Sequence, residues 1–295
     1  MKHSAYIITG PTASGKSNFA HELARKINGT IINCDSVQIY RGIENIAASP
    51  MAGREITNEI DGVPYRLFSI LPLSQQISVA EYLDMARAEY DAARNAGRVP
   101  IFVGGTGYYI NALVNGISPM PDISPENRAR AREMVAHDID AARKLLTPDF
   151  VATDPQRVAR AVEVLLETGK QLSEFQSAPR VGAVAPDATK ILINPDAGTL
   201  RTRIAERIPE MMAGGALDEA HAVIAAGWDE NRAIGAAQLC RFIRGEIDMN
   251  ECIQNWTTKT NQYAKRQRTW FRTQYQPNII INNIPTDTDI ANIIA

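Results

Sequence analysis

The chain has 295 residues, 45% of them hydrophobic, enough for one large domain or a core with a smaller second unit. A formal charge of −2 excludes a global electrostatic field, so any polyanionic partner must be met by a local basic patch. No apolar run approaches the roughly 20 residues a membrane span needs. The start, "MKHSAYIITG", carries no signal-peptide segment, so a cytoplasmic protein with no membrane partner is expected.

"AYIIT" (5–9) reads as a buried strand, followed at once by "GPTASGKS" (10–17). From Ser17, Phe19, Ala20, Leu23, Ala24 and Ile27 recur at helical spacing, with a stop at Asn28-Gly29. "TIIN" (30–33) is a second strand ending at Cys34-Asp35, a helix is expected over about 78–96, and "VPIFV" (99–103) is a third strand running into "GGTG". This alternation predicts an α/β fold, a P-loop NTPase-like parallel sheet core with helices on both faces. Ligands of such sheets bind at the carboxyl ends of the strands, so the loop at 10–17, Asp35 and Thr106 should converge.

Composition shifts after Gly116. Ser124 before Pro125 and Thr153 or Asp154 before Pro155 read as helix starts, and Val158, Ala161, Val162, Leu165 and Leu166 form an apolar stripe closed by Gly169. An all-helical insertion over 117–184 is expected between core segments 1–116 and 185–295. "TKILIN" (189–194) restores a strand, and helices return over about 198–275. Cys34, Cys240 and Cys252 have neither CxxC nor Cys/His ligand spacing and read as reduced structural thiols; the four histidines form no metal-binding pair.

Gly10, Pro11, Thr12, Ala13, Ser14, Gly15, Lys16 and Ser17 match the phosphate-loop pattern in the required strand–helix setting. Its glycines let backbone N–H groups converge on phosphate oxygens, Lys16 contacts the terminal phosphate, and the Ser17 hydroxyl ligates Mg²⁺. Asp35 has three readings: a Walker-B-like carboxylate, a general base, or a cap for the following turn. The absence of NKxD, and Gly-Gly in place of Asp after strand 99–103, exclude a switch GTPase. "KTNQYAKRQRTWFRTQY" (259–275) mixes Lys259, Lys265, Arg266, Arg268 and Arg272 with Tyr263, Trp270, Phe271 and Tyr275 and no acid. That suits a single-stranded nucleic acid, or simply a solvated face. Arg128, Arg130, Arg132, Arg157 and Arg160 supply further basic faces.

In order, "GPTASGKS", "DSVQIYRG", "GGTGYYINAL", "DPQRVARAVEV" and "AKRQRTWFR" resemble the tRNA dimethylallyltransferases over residues 10–272, in the bacterial type that lacks a zinc finger. The resemblance implies transfer of a dimethylallyl group from dimethylallyl diphosphate to N6 of adenosine 37, next to the anticodon, in tRNAs reading codons that begin with U. Its partners would then be the tRNA anticodon stem-loop and the prenyl diphosphate, its cofactor Mg²⁺, and its state a monomer. It reassigns the loop from nucleotide (ATP) binding to diphosphate as leaving group. It implies Asp35 as general base and Thr12, Lys16 and Arg207 as diphosphate contacts, with Arg203 a weaker candidate. It further implies tRNA contacts at Asp35, Ser36, Val37, Gln38, Thr106, Arg128, Gln156, Arg157, Val158, Ala159, Arg160, Arg232, Lys265, Arg266, Arg268, Trp270 and Arg272. Two stretches depart from the pattern: "IAASP" (46–50) lacks a family lysine, and "AIGAAQ" places Ala236 and Ala237 where a tyrosine and a basic residue are usual. The alternatives are a small-molecule kinase using the loop for ATP and a non-catalytic RNA-binding protein with a structural nucleotide.

Overall fold

A computed structural model describes residues 4–55 and 58–295. It divides into two compact units, a core of Met1–Val114 with Val184–Ala295 and a helical unit of Asn115–Ala183.

The core is built on seven strands: β1 (Tyr6–Thr9), β2 (Gly29–Asn33), β3 (Glu59–Ile60), β4 (Val63–Arg66), β5 (Val99–Gly104), β6 (Thr189–Ile193) and β7 (Ile279–Ile281), in the order β3-β4-β2-β5-β1-β6-β7. All pairings are parallel, as expected, except the β3–β4 edge hairpin, which adds one antiparallel pair at the sheet's edge. The turn at Asp61-Gly62 has positive φ at both residues, the geometry a tight hairpin demands. β1, β2 and β5 are buried at every residue, because helices cover both faces of the sheet.

On one face Ile8, Ile31, Ile101, Val103, Ile191 and Ile193 pack with Phe19, Leu23 and Ala24 of α1 (Lys16–Ile27). On the other, α2 (Val79–Asn95) stacks Tyr90 on Phe102 of β5 and sends the Tyr82 hydroxyl to the Asn33 carbonyl. α2 starts where Ser78 and Glu81 form a reciprocal capping box. α3 (Gly107–Asn115) follows β5.

The helical unit contains α4 (Pro125–His137), α5 (Ile139–Arg143), α6 (Pro155–Thr168) and α7 (Leu172–Gln176). Ser124 caps α4, and Asp154 rather than Thr153 caps α6. Ala131, Val135, Ala142, Leu146, Val158 and Val162 form its own core.

After β6 the core adds α8 (Ala197–Ala213), α9 (Ala216–Ala225), α10 (Ala236–Ile243), the long α11 (Met249–Gln274) and α12 (Asp287–Ile294). β3, β4, β7 and α12 are not among the elements expected from the pattern. The first three are too short to show a period, and β7 reads simply as three isoleucines.

Candidate active site

The carboxyl ends of β1 and β2 meet one cavity of about 720 Å³, walled on the far side by α8, α11 and residues 46–50, while Thr106 after β5 is not among its lining residues. Between β1 and α1 the chain turns tightly: Ser14 N–H donates to Pro11 C=O at 3.2 Å, with Ala13 and Gly15 at positive φ. Gly10 is required by close approach, since a Cβ there would stand 2.3 Å from the Ile193 carbonyl oxygen. α1 begins behind Gly15 with no side-chain cap and no acid in its first turn, so its N–H groups and the positive end of its dipole are left for an anion.

Three cations gather at that loop. The Arg207 Nη2 donates to Thr12 Oγ1 at 2.7 Å, Arg203 Nε to Ala13 C=O at 2.8 Å, and Lys16 Nζ reaches Pro11 C=O at 3.4 Å. Burial pulls Lys16 down to about 8, opposed by the Asp35 carboxylate and assisted by Arg207. Burial, then Arg203, lowers Arg207 to about 10, still cationic at neutral pH. Arg207 Nε and Ser14 Oγ are buried without a hydrogen-bond partner. Buried cations and orphaned donors around a bare helix N-terminus define a site built for a polyanion.

Asp35 leaves β2 under tight control. Buried Asn33 accepts from Asp35 N–H through Oδ1 (2.9 Å) and donates through Nδ2 to the carbonyls of Asp35 (2.9 Å) and Leu67 (3.0 Å). Asp35 Oδ1 accepts from Val37 N–H at 2.9 Å and, more weakly, Gln38 N–H at 3.4 Å. The cap reading is therefore realised through one oxygen, while among the described residues Oδ2 shows no hydrogen-bond partner. Thr106 Oγ1 accepts from Ser36 N–H at 3.0 Å, tying the ends of β2 and β5. Gly104 permits this, because a Cβ there would lie 2.0 Å from the Cys34 carbonyl oxygen.

Thr12, Ala13, Ser14, Gly15, Lys16, Ser17, Asp35, Ser36, Val37, Gln38, Arg207 and Arg232 all line the cavity. Arg232 lies over the Tyr40 and Trp228 rings at 5.6 and 5.8 Å. Lys265, Arg266 and Arg272 are exposed on α11, with Arg266 over Tyr263. In the helical unit Arg128, Gln156 and Arg157 are exposed and Arg160 is half-buried; Arg157 pairs with Asp154 and Arg160 with Glu163.

Five of the expected tRNA contacts are engaged within the chain itself. Val158 and Ala159 are buried in the core of the helical unit, on the apolar stripe of α6, and offer no side chain to tRNA. Arg268 spends its Nε on Asn194 Oδ1 at 3.2 Å, which holds α11 to the end of β6. Trp270 packs over Gly107, where a Cβ would stand 2.6 Å from the ring, and stacks on Tyr275. Gln38 gives its amide nitrogen to the carbonyls of Ala47 and Ala48, both at 3.1 Å, so the "IAASP" departure is held through its backbone, whatever its side chains.

Three cavity or supporting residues escaped the sequence reading. Asn33 looked like the end of an apolar strand. Tyr263, whose hydroxyl is pushed well above its ordinary range by burial and then by Asp35, looked like one aromatic among four. Gln267 sat inside a basic run whose charges drew attention; its position in step with Thr260, Ala264 and Phe271 on the buried side of α11 is the signal that was available.

Fold and site together define an α/β core with an anion loop and a carboxylate facing one cavity, carrying a helical insertion. The IPP transferase family model matches residues 38–274, and the chain belongs to that family. It is 38% identical to the tRNA dimethylallyltransferase of Rhizobium johnstonii over 286 residues, covering 92% of this chain and 94% of the other. It is 40% identical to that of Sphingopyxis alaskensis over 279 residues, covering 91% and 89%. Among solved structures, the full-length tRNA isopentenylpyrophosphate transferase of Bacillus halodurans superposes with a TM-score of 0.68 at 28% identity, covering 99% of this chain and 94% of that one.

Proposed function

We propose that the enzyme transfers a dimethylallyl group from dimethylallyl diphosphate to N6 of the adenosine immediately 3′ of the anticodon, in tRNAs reading codons that begin with U. Family membership supports prenyl transfer to tRNA as the activity. One observation carries the chemistry: the Asp35 carboxylate opens into the same cavity as the cation-lined loop.

In this reading the donor's diphosphate rests on the N-terminus of α1. As its allylic carbon–oxygen bond breaks, the electron pair leaves with the diphosphate, and the growing charge is met by Lys16, Arg207 and the loop N–H groups. The adenine nitrogen forms the new carbon–nitrogen bond and gives its proton to Asp35 Oδ2, the oxygen not engaged with Val37 and Gln38. An exocyclic amine is a poor nucleophile, so the rigid seat that Asn33 gives Asp35 matters more than basicity. The base must leave its stack to enter the cavity.

Among the described residues no cluster of three His, Cys, Asp or Glu could cage a metal. The Ser17 hydroxyl, which lines the cavity at the start of α1, would be the side chain to hold a Mg²⁺. When bound, Mg²⁺ would supply further neutralisation of the leaving group. Among the described residues no helix is long and apolar enough to cross a membrane.

The test combines purified protein, unmodified tRNA, Mg²⁺ and radiolabelled dimethylallyl diphosphate, without ATP. Label recovered in N6-(dimethylallyl)adenosine beside the anticodon is expected. A strict ATP requirement, or label confined to another nucleotide, would overturn the assignment.

A further inference from the structure

Gln267 is 6% exposed, on the buried side of α11, beside the cationic residues 265, 266, 268 and 272. Its amide makes two bonds of opposite polarity to main-chain groups of two different loops. Oε1 accepts from Thr12 N–H at 2.8 Å, and Nε2 donates to Gly105 C=O at 3.0 Å. A backbone N–H only donates and a carbonyl only accepts, so the amide has one orientation, and no carboxylate or thioether satisfies both partners. The fit is close: a Cβ on Gly105 would stand 2.4 Å from Nε2.

Each partner leads onward to a group used in the chemistry. Thr12 Oγ1 accepts from Arg207, and Thr106, next to Gly105, holds Ser36 beside Asp35. Because Gln267 and Pro11 occupy the Thr12 and Ser14 N–H groups, those two donors do not face the anion.

We propose that Gln267 is a positioning residue: a brace from α11 that fixes the spacing between the anion loop and the Gly104–Thr106 turn, and so between leaving group and base. This rests on the reading of the loop as a diphosphate site. Loosening such a brace moves reacting atoms without touching them, and small displacements cost heavily in rate.

The test uses Gln267→Met, of similar length without the amide, and Gln267→Glu, which keeps the acceptor and loses the donor. Readouts are hydrogen exchange, calorimetric titration with inorganic diphosphate and Mg²⁺, and steady-state kinetics. In Gln267→Met, exchange should quicken in residues 10–15 and 104–107 together while β2 stays protected. Diphosphate affinity should fall about tenfold, and kcat should fall about 100-fold with KM for tRNA within about threefold. Gln267→Glu should keep protection at 10–15 and lose it at 104–107; this arm decides by exchange alone if the Met variant does not fold. Unchanged kcat and diphosphate affinity in Gln267→Met, or exchange that quickens across the whole sheet, would overturn the brace. Wild-type protein that binds no diphosphate would overturn the site reading instead, a separate result.

Discussion

Because Oδ1 of Asp35 already accepts two backbone N–H groups, replacing the whole carboxylate would test the turn and the base at once. Asp35→Asn separates them, since an amide oxygen keeps the Val37 contact while no proton acceptor remains. Turnover should fall about 10³-fold in single-turnover assays, with tRNA retention on filters unchanged; equal loss of both would show Asp35 to be structural. Lys16 makes a second prediction at this scale. Its cationic form holds phosphate and, with burial lowering it to about 8, is full below that pH and lost as pH rises through it. In kcat/KM for the donor, which reports the free enzyme, a decline should begin near pH 8. In Lys16→Met the level should be low throughout and that decline absent. Little of this was legible beforehand. Motif spacing located Lys16 and Asp35, but the Asn33 seat comes from a polar residue buried where a strand ends, a fact of tertiary packing.

Among the elements, α11 combines two faces that the sequence blurred. Its buried side, Trp256, Thr260, Ala264, Gln267 and Phe271, faces the core and the cavity, while Lys265, Arg266 and Arg272 remain exposed. Residue types alone showed a basic-aromatic helix. Only packing shows that Trp270 and Arg268 are partly engaged with Gly107 and Asn194. The salt dependence of tRNA binding should separate the two cation types. Arg272→Ala should reduce the slope of log K against log salt by about 0.7–0.9, whereas Arg268→Ala should change it less and instead lower stability. Equal slopes for both variants and wild type would make this face merely solvated. The strands show the same division of legibility: β1, β2, β5 and β6 announced themselves as apolar runs, whereas the β3–β4 hairpin and β7 are set by the sheet they join.

At the level of the whole molecule, the chain leaves and rejoins the core at one point. The amides of Val184 and Ala185 both donate to the Leu113 carbonyl, each at 2.9 Å. Composition shifts and proline-opened helices revealed that an insertion exists, but this junction needs the coordinates. Replacing residues 116–182 by a short glycine-serine link should therefore spare the core. Calorimetric affinity for diphosphate should stay within about threefold, while tRNA affinity falls more than tenfold; loss of diphosphate binding would show the core to depend on the insertion.

The same junction bears on the loop that must close when β6 joins the sheet. β6 must pair with β1 across a separation of more than 180 residues, and an unstructured insertion adds loop-closure entropy to that step. Once Asn115–Ala183 has collapsed on its own core, the Leu113 carbonyl and the Val184 amide are held near one another and most of that entropic cost is gone. A helical unit with a core of its own thus shortens the loop that must close before β6 joins β1, a saving that grows only with the logarithm of loop length.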